Sequence, residues 1–163
     1  MEAPYRMIAL EDSLNSLGLT KKNKDAIILA HKKVAISYLK EENYVDAKSH
    51  FSDVLNYSPF DSIAQYNILM IDAHLLKQTG NRQKLWDAIE FYYKAQRFHP
   101  NNGEPYFFIG KAYESLDNND FDLIIESYQK ALELELSEPL KNEVEKEMFS
   151  VLNRKKKLKD FWK

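Results

Sequence analysis

Residues 103–136 read GEPYFFIGKAYESLDNNDFDLIIESYQKALELEL, and this stretch decides the fold. Tyr106, Gly110 and Tyr113 precede a polar break, and Ile124, Tyr128 and Ala131 follow it, each set spaced by three or four residues. That spacing puts each set on one face of a helix, and the strict alternation of a strand is absent. The break, Asp117-Asn118-Asn119-Asp120, is composed for a turn and places an Asp where it would cap the second helix. The segment therefore reads as two amphipathic helices joined by a short turn.

The same organisation occurs twice more upstream. Residues 28–59 contain HKKVAISYLKEENYVDAKSHFSDVLNYSP, in which Val34, Tyr38 and Leu39 recur at helical steps. Glu41-Glu42-Asn43 then interrupts the pattern, and Val45, Phe51, Val54 and Leu55 resume it. Residues 62–100 contain AQYNILMIDAHLL and WDAIEFYYKAQRFHP, with a turn at Thr79-Gly80-Asn81. Pro59 and Pro100 close the first two segments. One hairpin cannot bury its own apolar face, so consecutive hairpins must stack.

The pattern resembles the tetratricopeptide repeat family over roughly residues 28–136. The family motif sets a small residue and a Tyr on the first helix, then a small residue, an aromatic, another small residue and a proline. Ala35, Tyr38, Ala47, Phe51, Val54 and Pro59 follow that order in the first segment. Ala88, Tyr92, Ala95 and Pro100 follow its second half, while Leu69 and Asp72 depart from the first half. Gly110, Tyr113, Ile124, Tyr128 and Ala131 follow it in the third, with Tyr106 at the early aromatic position. Small residues let paired helices approach closely, and aromatics fill the volume between hairpins.

The resemblance implies an all-α fold, a right-handed superhelical solenoid of three helical hairpins flanked by terminal helices, in one domain over residues 1–163. Its expected parts are an N-terminal helix at 1–20, repeats at 21–59, 60–100 and 101–137, and a C-terminal capping helix at 138–163. The second repeat is about seven residues longer than the family's usual 34, about one extra turn per helix. Met7, Leu10, Leu14 and Leu17 share one face of the leading helix, which Gly18 ends. Leu140, Val144, Met148, Val151 and Leu152 form the packing face expected of the closing helix.

The 163 residues are 44% hydrophobic, which suits a folded domain rather than a disordered chain. Twenty-three Lys and Arg against 25 Asp and Glu leave a net charge of −2, with no global attraction for nucleic acid or anionic lipid. Cysteine is absent, which excludes disulfides, thiolate zinc sites and cysteine nucleophiles. No apolar run is long enough to span a membrane, and no signal peptide is visible. A cytoplasmic location is the expectation, with a removed export signal as the alternative.

No catalytic motif emerges. His31, His50, His74 and His99 belong to no recognisable nucleophile or metal motif and read as helix-surface residues. Asp117–Asp122 lacks the glycine and terminal glutamate of a calcium loop, and Phe121 stands at a ligand position. Nor is there a glycine-rich phosphate loop. The expectation is therefore a non-enzymatic binding module, without cofactor, metal or small-molecule substrate.

The resemblance implies that the first helix of each hairpin lines a concave groove that receives a peptide or helix of another protein. The groove positions carried over are Lys32, Ile36, Tyr66, Asn67, Met70, Phe107 and Lys111. Either a partner contacts these residues, or the C-terminal helix covers part of them. A subclass of the family clamps the carboxylate tails of chaperones. Lys32 and Asn67 match that clamp loosely, but Ile36 replaces an Asn, and Glu104 and Phe108 replace its later cations, so such tails are not expected to bind. Trp86 is a secondary contact or packs against Leu75 and Leu76. Phe161 and Trp162 fold back on the last hairpin or dock on a partner. The run Arg154-Lys155-Lys156-Lys157-Leu158-Lys159 is either a solvated helix end or a patch for nucleic acid, and self-assembly through the end helices is a further alternative.

Overall fold

A computed structural model describes residues 21–162. The expected leading helix at 1–20 lies outside the described residues. Among those described there are seven helices and no strand: α1 (Lys21–Lys40), α2 (Tyr44–Tyr57), α3 (Ser62–Gln78), α4 (Arg82–Gln96), α5 (Glu104–Leu116), α6 (Phe121–Leu132) and α7 (Glu138–Phe161). The described residues are all-α and form a helical-repeat fold. The chain divides into two compact units, with the boundary in sequence inside α3, between Ile71 and Asp72.

In all three hairpins the second helix buries its motif residues completely. Ala47, Phe51 and Val54 on α2, Ala88, Tyr92 and Ala95 on α4, and Ile124, Tyr128 and Ala131 on α6 are each 0% exposed. The steps of four and three place each triplet on one stripe. Gly110 shows why the first helix needs a small residue, since a Cβ there would collide with the Tyr128 ring. Helices α3 and α4 are 17 and 15 residues long, against 13 and 12 for α5 and α6.

In the first unit, α1 and α2 are joined through Glu42 at a φ of 55°, a left-handed conformation that costs a side chain of this kind strain. Asn43 then caps α2 by accepting from the Asp46 N–H. Lys32 Nζ donates to Asp61 at 2.6 Å, and Asp61 also accepts from the Ala64 N–H at the start of α3.

In the second unit, Gly80 takes a φ of 66° and Asn81 caps α4 by accepting from the N–H groups of Gln83 and Lys84. Asp120 occupies the N-cap position of α6 but makes no side-chain capping bond. The working carboxylate of that turn is Asp117, which accepts from the Asn119 N–H at 2.9 Å. Helix α7 packs Val144 and Val151, both 0% exposed, against Phe107, Phe121, Ile124 and Tyr128. Leu152, expected on the packing face, is 41% exposed, because Leu140, Val144, Met148 and Val151 complete that stripe without it.

Candidate interaction surfaces

The expected groove residues fall into two sets by burial. Tyr66, Met70 and Phe107 are buried, Phe107 in the core that α7 completes. Ile36 is exposed, and Lys32, Asn67 and Lys111 are half-buried. Lys32 is engaged by Asp61, and the Asn67 amide donates to the Ile63 carbonyl at 2.8 Å. Lys111 lies 3.6 Å from Glu114 and 3.4 Å from Glu147 on α7. The lysine and asparagine nearest to a carboxylate clamp are thus already committed within the fold.

Helix α7 carries more of this intramolecular pairing. Arg154 pairs with Glu114 on α5 and donates to the Asn118 carbonyl, while Lys155 reaches Asp122 at 2.7 Å. Glu114 also accepts from the Tyr128 hydroxyl at 2.8 Å. Burial, followed by this carboxylate, pushes the Tyr128 hydroxyl well above the usual tyrosine range, so it remains a donor. The first two residues of the basic run are thus paired with α5 and α6, Arg154 with a largely buried carboxylate and Lys155 in a solvent-exposed pair. Phe161 and Trp162 do not fold back: they are 79% and 78% exposed and meet each other edge to face.

An aromatic cleft stands in the second unit. Trp86 and Tyr93 lie two helical turns apart on α4, as do Tyr106 and Tyr113 on α5. Trp86 meets Tyr113 edge to face at 6.0 Å, and Tyr93 meets Tyr106 the same way at 6.0 Å. Leu123, Glu126 and Lys130 of α6, with Glu133 at its C-cap, help to line the adjoining cleft, of about 470 Å³. Burial first, then Tyr113, Tyr106 and Glu126, push the Tyr93 hydroxyl up to about 12, which keeps it neutral and able to donate. Trp86 and Tyr93 remain exposed. The aromatic partner of Trp86 in this arrangement is Tyr113. Sequence reading missed Tyr93 and assigned Tyr106 and Tyr113 to the motif alone. The seven-residue spacing on both helices was visible, but their pairing depends on the register between α4 and α5.

Two histidines depart from the surface reading. His31 is 1% exposed. His74 shares a hydrogen bond of 2.8 Å with the Tyr92 hydroxyl and packs edge to face on Phe108. Burial, with Lys77 as the lesser cause, lowers His74 to about 4, so it is neutral at pH 7.

A solved structure, MamA residues 41 to the end from Desulfovibrio magneticus RS-1, is similar with a TM-score of 0.53. The match covers 94% of this chain and 85% of that one at 16% identity. The likeness is one of fold. No family model matches the chain, and no curated protein matches it. Among the described residues no helix is long and apolar enough to cross a membrane.

Proposed function

We propose that this protein is a non-catalytic adaptor that holds a peptide or helix of another protein, with the aromatic cleft between α4 and α5 as its principal contact. The observation that carries this reading is the paired ladder of Trp86 with Tyr113 and Tyr93 with Tyr106, left open on a repeat fold. Trp and Tyr give large contact area at small entropic cost and dominate interface energetics. Glu126 beside the tyrosine faces favours a partner segment that presents Arg or Lys to the cleft. The groove expected on the first helices is the second surface of the same reading: Tyr66, Met70 and Phe107 are buried, Lys32, Asn67 and Lys111 are paired within the fold, and Ile36 is the exposed member.

Cross-linked affinity capture followed by titration of the purified partner tests this. Trp86→Ala with Tyr93→Ala is expected to weaken binding by about 2–4 kcal/mol, and Ile36→Ala by less. Binding unchanged in both variants would remove these surfaces from the function.

Self-assembly is favoured by one separate observation, the exposure of Phe149 and Phe161 on α7 and of Trp162 at its C-cap. Sedimentation across a concentration series decides it. A strict monomer eliminates this reading, whereas association abolished by Phe149→Ser with Trp162→Ser supports it.

A further inference from the structure

We propose that His31, His50 and Asp53 form a zinc site in the first unit, in which the two Nδ1 atoms and one carboxylate oxygen bind the ion and a fourth position is left for water. The His31 and His50 Nδ1 atoms are 3.0 Å apart. Asp53 Oδ2 lies 3.5 Å from the first and 3.9 Å from the second. Two ligand atoms about 2.0–2.2 Å from a tetrahedral zinc ion are roughly 3.3–3.5 Å apart. The three observed separations straddle that spacing, so the atoms outline one face of a tetrahedron.

A hydrogen bond between two imidazoles needs a single proton and no third group. Here a carboxylate converges on both nitrogens as well, which makes a set of three donor atoms able to hold one cation. The donor set of two imidazoles and a carboxylate suits zinc. Tyr38 stacks on the His50 ring at 5.7 Å, with planes 10° apart, and Tyr57 flanks His31 at 6.5 Å. These rings restrain the ligands as second-shell groups do. The Asp53 side chain is 40% exposed, which gives the ion a route in and places the fourth position at the solvent boundary. The helices explain the convergence. His50 and Asp53 are one turn apart on α2, and the packing of α1 against α2 brings His31 to them.

Tag-free protein, stripped with chelator, is to be titrated with zinc at pH 7.5 against a chromophoric competitor, and separately with cobalt to record its visible absorption. One ion per chain, an upward shift in Tm with zinc and a tetrahedral cobalt spectrum are expected. Asp53→Asn and His50→Gln, at positions that reach the surface, are each expected to weaken zinc at least about tenfold, with helical circular dichroism retained. His99→Gln should bind as the parent does. Absence of stoichiometric binding, or equal binding in Asp53→Asn and His50→Gln, would overturn the assignment.

Discussion

His74 and Gly110 show how single positions set conditions on this fold. The unfolded chain binds a proton at His74 near pH 6.5, whereas the native fold does so only near 4. Between those values the unfolded state is the more protonated. The His74 contribution is therefore complete above pH 6.5 and is lost as pH falls towards 4, by up to about 3 kcal/mol. Urea unfolding at pH 7 and pH 4.5 should show this loss, and His74→Gln should show a smaller difference between the two. At Gly110 the Tyr128 ring occupies the space of a side chain. Gly110→Ala is expected to destabilise by about 1–3 kcal/mol despite the better helix propensity of Ala, read from thermal or denaturant unfolding. Glu42 is the opposite case, a side chain held at a φ of 55°. Glu42→Gly should raise stability by roughly 0.5 kcal/mol, since relief of strain exceeds the added chain entropy.

Among elements, α7 depends on polar as well as apolar contacts. Its core stripe buries Val144 and Val151, and Glu114 draws Arg154, Lys111 and the Tyr128 hydroxyl to one largely buried carboxylate. Loss of that charge weakens three interactions at once, although Lys111 keeps Glu147 and Arg154 keeps the Asn118 carbonyl, so it costs more than the net worth of any one pair. Glu114→Gln is expected to cost about 2–3 kcal/mol and Lys155→Ala, an exposed pair with Asp122, under about 1 kcal/mol. Equal losses from the two substitutions would contradict the central place of Glu114. The apolar stripe was legible as a period along residues 140–151. That the basic run clasps the preceding hairpin was not, because helical periodicity says nothing about which loop lies across the interface.

At the scale of the molecule, charge balance and local pairing act together against nucleic-acid binding. The net charge is −2, and Arg154 and Lys155 are engaged within the second unit, leaving Lys156, Lys157 and Lys159 as the exposed remainder of the run. Fluorescence anisotropy with single-stranded RNA and duplex DNA at low salt, where phosphate contacts are strongest, is expected to show no specific complex. A tight complex weakened steeply by salt would restore the nucleic-acid reading.

Helix type, the turns at Glu42, Gly80 and Asp117, and the fully buried triplets of α2, α4 and α6 were all determined by the order of residues, because periodicity and turn chemistry act over a few positions. Which aromatics become core and which stay open was decided only by tertiary structure. Phe107 and Tyr93 look alike as residues on amphipathic helices, yet one lies beneath α7 and the other borders a cleft. The meeting of His31 with His50 and Asp53 has the same origin. A local pattern specifies the face a side chain occupies, whereas its neighbours across helices follow from the register in which those faces pack.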